Sequence, residues 1–194
     1  MKPFFLRTYF RCYRWYALST AVLLAMLLVT IGAPARADGA SAKATLYDAS
    51  GSVVGKVKLV QKSDVVDAVE VRVKVNNLPP GFHGFHMHAA GACSPTFASA
   101  LGHYNPSGLT HPAHAGDMPV LLVNADGTGN ARFTTDRFTV DGLFDLDGSA
   151  VIVHASPDNY ANVTKYASPD AATLATGDAG GRIACGVLER GDSD

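Results

Sequence analysis

The sequence predicts an all-β domain, an antiparallel sandwich or barrel of about eight strands, over most of its 194 residues. Residues 68–76 alternate apolar and charged side chains with a period of two, which is typical of a half-buried strand. Asp126-Gly127 lies between two apolar runs and predicts a hairpin turn. From residue 38 onwards the sequence shows no sustained helical period, which favours the antiparallel all-β class.

Each strand is predicted from a short apolar run or an alternating pattern. In chain order, the predicted strands are two runs around Ser50-Gly51, residues 68–76, GFHGFHMH at 81–88, two runs around Asp126-Gly127, GSAVIVHA at 148–155 and GRIACGVLE at 181–189. Two long segments, 89–116 and 155–181, do not look like strands. Both adjoin histidines, so we expect them to be functional loops.

The N-terminal segment 1–37 is predicted to be a secretory signal rather than part of the fold. It begins with four basic and no acidic residues, continues with an apolar run at 17–33 and ends in a small-residue Ala35-x-Ala37 site. The alternative is an uncleaved membrane anchor, because the apolar run is near the lower limit of a span. The sequence therefore predicts one domain at 38–194, exported to the periplasm, cell envelope or extracellular space.

Charge and cysteine content narrow the function of the predicted domain. Residues 38–194 hold 11 Lys and Arg against 17 Asp and Glu, a net charge of −6, which argues against a nucleic-acid partner. Two cysteines remain there, Cys93 and Cys185. In an exported protein an even pair most simply forms a disulfide, and the alternative is a pair of buried free thiols.

Histidine is concentrated in one part of the chain, since all seven histidines lie between residues 83 and 154. His86 and His88 are two positions apart in a predicted strand, so both rings leave the same face of the sheet, as two ligands of one metal ion would. His154 ends an apolar strand and would join them, and imidazoles in a flattened arrangement suit copper(II). His83 is interpreted as a structural residue whose ring holds the loop backbone.

A second set of potential metal ligands lies in and just after the first long segment. Its members are His103, His111, His114 and Asp117. Three imidazoles and one carboxylate form a closed tetrahedral shell that suits zinc. Because a solvated or structural use would scatter histidines along the chain, the joint pattern predicts a metal site.

Five motifs extend this pattern: GFHGFHMH, GHYNP, H-x-x-H-x-G-D, VIVHA and TGDAGGRIACGV. In this order they resemble the successive signatures of the secreted, bacterial-type copper/zinc superoxide dismutase family, and the resemblance covers most of residues 42–190. It implies an eight-stranded Greek-key β-barrel with two long functional loops. It also implies that copper and zinc ions are the cofactors.

The resemblance implies a role for each motif residue. The implied copper ligands are His86, His88, His103 and His154, and the implied zinc ligands are His103, His111, His114 and Asp117. Asp158 would accept hydrogen bonds from the far nitrogens of His86 and His111. The alternative interpretation is that Asp158 is an ordinary loop aspartate without this role. Only two residues separate His111 from His114, so the alternative for His114 is a surface loop histidine. The disulfide between Cys93 and Cys185 would hold Arg182 against the copper-bearing region.

The resemblance also implies the activity. Superoxide would be converted to oxygen and hydrogen peroxide by alternating reduction and oxidation of copper, with a structural zinc, as a protection against extracytoplasmic superoxide. The implied catalytic residues are Arg182, which docks the anion, and His103, which takes up a proton. Because residues 155–181 hold a single lysine, Lys165, guidance of superoxide would rest on Arg182 and the metals.

Other functions and partners stay open at this point. A non-enzymatic copper or zinc binding module would keep the ligands but would not need Arg182. A structural relative that uses the fold for protein contacts should have lost ligands, and none of the six implied histidine ligands is missing. A homodimer is possible within the family, and contact with a membrane is expected only if the N-terminal segment is retained.

Overall fold

The computed structural model describes residues 39–62, 68–94, 96–161 and 169–191. All of them belong to one compact unit, Ala37–Asp194. The predicted signal segment and Lys165 lie outside the described residues. Within the described ranges, no helix is both long enough and apolar enough to cross a membrane.

Short strands joined by long loops form most of the described unit. The strands are β1 (Ser41–Tyr47), β2 (Val53–Gln61), β3 (Val69–Val75), β4 (Gly81–His83), β5 (Phe85–His88), β6 (Leu121–Val123), β7 (Gly129–Thr135), β8 (Ala150–His154), β9 (Arg182–Val187) and β10 (Glu189–Arg190). One α-helix, α1 (Ala171–Thr176), and two 3₁₀ turns, Ala98–Ala100 and Asp141–Leu143, lie in the loops.

The sheet is antiparallel and runs in the order β5-β8-β9-β1-β2-β3-β7, with β10 beside β1. A second sheet pairs β4 with β6. The β7–β8 connection therefore crosses from one end of the main sheet towards the other, as in a Greek key. Gly84 alone separates β4 from β5, and the turn after β6 leads into β7, so the small sheet is connected to both end strands of the main sheet.

The structure describes ten strands where the sequence predicts about eight. The segment GFHGFHMH is divided at Gly84, whose N–H donates to the Ser156 carbonyl while its own carbonyl accepts from the His154 N–H. The last predicted strand is likewise divided at Leu188 into β9 and β10. The turn at Asp126-Gly127 is present, with the Asn124 N–H bonded to the Thr128 carbonyl, although β6 forms its ladder with β4.

Period-two alternation places one side of the sheet in the core. In β3 the valines at 69, 71, 73 and 75 are buried, whereas Arg72 and Lys74 between them are exposed. These valines join Leu46, Leu59 and Phe85 in the main hydrophobic cluster. Burial of each such side chain stabilises the fold by about 1.5–3 kcal/mol.

The helix α1 was not predicted, because six residues are too few to show a helical period. Local chemistry specifies it instead. The Asp170 side chain accepts the Thr173 N–H at 2.9 Å, which satisfies a free amide at the helix start. Gly177 ends the helix in the left-handed region, with φ of +59°, where glycine is favoured.

The predicted disulfide between Cys93 and Cys185 is confirmed, with the two Cα atoms 5.8 Å apart. It joins the loop after β5 to β9 across 92 residues of sequence. In the chain-entropy model a closure of this length stabilises the fold by about 4–5 kcal/mol. A second hydrophobic cluster, formed by Phe97, Ala100, Ala150, Ile152 and Cys185, packs around it.

Candidate metal centre

Two neighbouring strands and one loop carry the histidines. His86 and His88 lie on β5, which pairs with β8, and His154 ends β8. The loop after β5 returns along its free edge, because the Met87 N–H donates to Gly116 and the Met87 carbonyl accepts from Tyr104. This return places His103 opposite His88 and Asp117 opposite His86.

The structure brings the predicted ligands into two buried groups of four. The first is formed by His86, His88, His103 and His154, and the second by His103, His111, His114 and Asp117. Within each group the potential ligand atoms lie within 4.8 Å of one another. His103 belongs to both. His83 lies outside both, and its ring nitrogens are 2.7 and 2.8 Å from the carbonyl oxygens of His154 and Pro79, as its structural interpretation expects.

Backbone carbonyls orient two rings of the first group. His88 Nδ1 lies 2.9 Å from the Leu101 carbonyl oxygen, and His154 Nδ1 lies 3.1 Å from that of Gly180. Because each Nδ1–H donates to a carbonyl, the lone pair of each Nε2 is directed to the other side, where the two Nε2 atoms are 3.3 Å apart.

His86 is oriented by a carboxylate instead. Its Nε2 donates to Asp158 Oδ2 at 2.6 Å, and its buried Nδ1 has no hydrogen-bond partner among the described residues. A buried ring nitrogen without a partner is costly unless a ligand satisfies it. The free Nδ1 therefore fits a metal ligand.

The second group is built around Asp117. Its carboxylate oxygens lie 2.7 Å from His103 Nδ1, 3.1 Å from His111 Nδ1 and 3.3 Å from His114 Nδ1. His103 Nδ1 and His114 Nδ1 are 3.4 Å apart. A tetrahedral zinc shell with bonds of about 2.0–2.1 Å has its ligand atoms about 3.3 Å apart, so the four side chains fit zinc.

Asp158 links the two groups. Its Oδ1 accepts from His111 Nε2 at 2.8 Å while Oδ2 accepts from His86 Nε2, so one carboxylate orients a ring in each group. The Tyr160 N–H donates to Oδ1 at 2.6 Å. Gly177 packs so closely on Asp158 and His111 that a Cβ at this position would overlap both side chains.

The pKa values divide the histidines into two kinds. Burial lowers the pKa of His88 to about 2 and that of His154 to about 3, so both rings are neutral, the form that binds metals. Burial also lowers the pKa of His86 and His114. His111 differs: burial alone would lower its pKa, but the nearby carboxylates of Asp117 and Asp158 outweigh it and raise the pKa to about 9.

The two carboxylates stay ionised for the same reason. Burial would raise the pKa of Asp117, but its contacts with His103 and His111 dominate and hold the pKa below the usual range. Hydrogen bonds with His111 and His86 likewise outweigh burial and lower the pKa of Asp158. The second group thus contains fixed negative charge.

Arg182 borders a depression of about 540 Å³ together with His88, His103 and His154. Its guanidinium donates to the carbonyl oxygens of Phe97 and Leu101. Burial lowers the pKa of Arg182, yet an arginine remains protonated in proteins. The arrangement therefore places a fixed cation beside the first group.

Several supporting residues were not predicted from the sequence. Phe97 and Leu101 adopt φ of +59° and +62°, a region that bulky residues rarely occupy, and their carbonyls hold Arg182. Arg137 donates to the carbonyls of Pro112 and His114 at 2.8 and 3.0 Å, so it holds the loop of the second group. Such contacts leave no periodic or motif signal in a single sequence.

The family model for copper/zinc superoxide dismutase matches residues 53–188. A Superoxide dismutase [Cu-Zn] of Mycobacterium bovis is 37% identical over 170 residues, 78% of this chain and 71% of the relative, and that of Mycobacterium tuberculosis matches equally. The corresponding protein of Mycolicibacterium paratuberculosis is 41% identical over 133 residues, 59% of each chain.

Solved structures agree with these matches. A crystal structure of a SOD-like protein from Bacillus subtilis has a TM-score of 0.62 at 30% identity and covers 76% of this chain and 97% of that one. The clock protein EA4 has a TM-score of 0.65 at 28% identity and covers 78% of this chain and 94% of that one. The chain belongs to the copper/zinc superoxide dismutase family. Membership confirms the predicted family, the all-β fold, the oxidoreductase class and the two cofactors, copper and zinc.

Proposed function

We propose that this protein is an extracytoplasmic dismutase that converts superoxide to oxygen and hydrogen peroxide. Copper would be held by the first group and zinc by the second, with His103 shared. The observation that carries this assignment is that two four-ligand groups meet at one buried imidazole beside a fixed arginine. A site that only stored metal would not need Arg182 in the depression above the first group.

When bound, copper supplies a one-electron couple between Cu(II) and Cu(I), and zinc supplies a fixed positive charge. Arg182 binds and orients the substrate. The carbonyls of Phe97 and Leu101 occupy two of its N–H donors, so the remaining donors are available to a small anion in the depression. Because the guanidinium is held in place, little reorganisation accompanies binding.

His103 is the residue at which the chain holds a proton. Its Nδ1 lies 2.7 Å from Asp117 Oδ1 in the second group, which leaves Nε2 for the first group. With Nδ1 engaged, Nε2 can take up a proton and pass it to the peroxide that forms beside Arg182. Asp158 keeps His86 and His111 in place on either side of this ring.

Export and cleavage after Ala37 are part of the proposal. The disulfide between Cys93 and Cys185 supports export, because such bonds persist in oxidising compartments. N-terminal sequencing of the exported protein tests the cleavage position. The homodimer allowed by the family resemblance is a prediction that light scattering of the purified protein tests.

The decisive experiment follows superoxide decay after a radiolysis pulse. Residues 38–194 are used with copper and zinc loaded, since the compact unit contains both hydrophobic clusters and the disulfide. We expect a second-order rate approaching about 10⁸–10⁹ M⁻¹s⁻¹, the diffusional ceiling that superoxide dismutases as a class reach. Arg182→Gln should lower this rate by about tenfold, because it removes the docking cation.

Arg190→Gln is the matched control, because Arg190 pairs with Asp141 at 2.6 Å and does not border the depression. It should retain the parent rate. Decay no faster than in buffer, from protein shown to hold both metals, would contradict the dismutase and leave a copper or zinc binding module.

A further inference from the structure

Basic side chains are concentrated on the outer face of four strands. Lys43 on β1 lies opposite Lys58 on β2, and this row continues through Arg72 on β3 to Arg132 on β7. Lys56 and Lys74 lie opposite each other in the next row. These six residues, named here the basic face, are six of the 11 basic residues in 38–194.

Acidic residues balance only part of the basic face. Glu70 accepts hydrogen bonds from Arg72 and, at 2.5 and 2.9 Å, from Arg132. Glu189 lies opposite Lys43. The other three lysines, Lys56, Lys58 and Lys74, form no ion pair with any residue in the described ranges.

This arrangement does not stabilise the sheet by itself. Like charges that face each other directly across strands destabilise an antiparallel pair. Lys56 opposite Lys74 and Lys58 opposite Arg72 are two such pairs. The domain as a whole is acidic, with a net charge of −6 over 38–194, yet six of its 11 basic residues lie on one surface.

Exposed apolar side chains lie at one end of the same face. Tyr47 and Val53 are cross-strand neighbours with 44% and 49% of their surface exposed, and Val187 on β9 is 38% exposed. All three border a depression of about 960 Å³ that Lys56 and Lys74 also line. None of its lining residues belongs to the depression beside Arg182.

We propose that the basic face docks on the surface of an anionic phospholipid bilayer. Lysine and arginine side chains would contact lipid phosphates, while Tyr47, Val53 and Val187 would enter the interfacial region, where tyrosine is enriched. A soluble polyanion would satisfy the cations but not the three apolar side chains. The acidic remainder of the domain is repelled by the same surface, which orients the molecule.

This contact belongs to the folded unit and does not require the N-terminal segment. It is independent of the dismutase activity, because no residue of the basic face lies in either metal-ligand group. Each cation near an anionic leaflet strengthens binding by about fivefold, so three unpaired lysines and the paired arginines suffice for measurable partitioning at low salt.

Vesicle co-sedimentation tests the proposal with residues 38–194 loaded with copper and zinc. Vesicles of phosphatidylcholine mixed with phosphatidylglycerol should bind the protein, and pure phosphatidylcholine should not. Binding should be strong at about 0.1 M NaCl and largely lost at about 1 M, because salt screens the lipid charge. Equal binding to both kinds of vesicle, or binding to neither, would overturn the proposal.

A double substitution, Lys56→Gln with Lys74→Gln, should weaken the vesicle partition coefficient by about 20-fold. Its thermal stability should equal or exceed that of the parent, since a repulsive pair is removed. The matched control, Lys62→Gln with Arg190→Gln, removes the same charge from two residues outside the basic face and should bind like the parent. Equal weakening in both variants would show that vesicle binding depends only on the net charge of the protein. That result would overturn the proposal that the basic face is the docking surface.

Soluble polyglutamate distinguishes a bilayer from an acidic polymer. At equal anionic charge, vesicles should bind the protein more tightly, because only the bilayer contacts Tyr47, Val53 and Val187. Tighter binding to polyglutamate would overturn the bilayer as the occupant. Val53→Ser tests the apolar end separately and should weaken vesicle binding without changing binding to polyglutamate.

Discussion

The two metal-ligand groups share His103 but are built in different ways. The first takes three of its ligands from paired strands, β5 and β8, and backbone carbonyls of Leu101 and Gly180 orient two of the rings. The second is assembled on the loop after β5, and carboxylates hold it. Its contacts with the rest of the domain include Asp158, Arg137 and the Leu174 carbonyl, which accepts the His111 N–H.

This difference sets the charge of each group before any metal binds. Burial keeps the strand-borne rings of His88 and His154 neutral, because it lowers their pKa more than the hydrogen bonds to the backbone carbonyls raise it. The carboxylates of Asp117 and Asp158 favour a proton on His111, so the loop-borne group must release that proton to bind zinc. The first group, called strand-borne here, can therefore bind a metal ion with its strand histidines already neutral. The second group, called loop-borne here, must lose the His111 proton when a metal ion binds.

The largest effect that we predict is on the pH dependence of unfolding of the metal-free protein. The pKa values of His88 and His154, about 2 and about 3, lie below the unfolded value of about 6.5, so stability should fall as the pH falls from 6.5 towards 3. The pKa of His111, about 9, lies above it, so its contribution should be lost as the pH rises from 6.5 through 9.

Urea unfolding of metal-free residues 38–194 across this pH range measures both limbs. Stability should be greatest near neutral pH. With copper and zinc bound the alkaline limb should disappear, because a liganded His111 carries no proton on the coordinating nitrogen. A metal-free protein whose stability does not change between pH 7 and 9 would contradict the charged His111.

Asp158→Asn should weaken both groups, because Asp158 accepts from a ring in each. An amide has one acceptor oxygen, and its NH₂ would face the other imidazole N–H. We expect copper and zinc affinities to fall by about 10–100-fold, the usual cost of removing a partner that orients a ligand. Chelator competition measures both, and exposed Asp136→Asn is the control. Loss of zinc alone would show that Asp158 serves only the loop-borne group.

Arg137→Gln should affect the loop-borne group alone. Arg137 donates to the carbonyls of Pro112 and His114, and the variant loses both charge-assisted hydrogen bonds at a partly exposed position. We expect the loss of these two hydrogen bonds to destabilise the zinc-holding loop by about 1 kcal/mol, which corresponds to roughly fivefold faster zinc release. Stopped-flow transfer to a zinc chelator measures this rate, with Arg190→Gln as the control. Equal acceleration of copper release would contradict the separate construction of the two groups.

The strand-borne part of the molecule was largely predictable from sequence. Period two in β3, the Asp126-Gly127 turn and the spacing of His86 and His88 are local signals, and the structure contains the corresponding elements. The two extra strands arise from breaks at Gly84 and Leu188, which the sequence pattern does not mark. A feature that depends on backbone periodicity can therefore be predicted from a single sequence.

The loop-borne part was predictable in two different ways. Residue type alone indicated a zinc shell of three imidazoles and one carboxylate, whereas Asp158 was assigned through the family resemblance, and the structure places these side chains together. Arg137, Gly177 and the carbonyls of Phe97 and Leu101 were missed, because tertiary packing and backbone conformation give them their roles. Backbone carbonyls in particular have no residue-type signal.

The smallest effect that we predict concerns Asp178, which lies next to the loop that supports the second group and also beside the depression over the first group. Asp178 adjoins Gly177, but its exposed carboxylate borders the depression beside Arg182. Asp178→Asn suits the local φ of +54°, which asparagine tolerates, and retains an oxygen to accept from Thr173. Removal of one negative charge from the border of this depression should raise the rate of superoxide decay about twofold at low ionic strength. The gain should vanish at high salt, and zinc affinity should not change. A slower reaction together with weaker zinc binding would instead mean that Asp178 acts through its bonds to Asn159 and Thr173, as part of the loop-borne group.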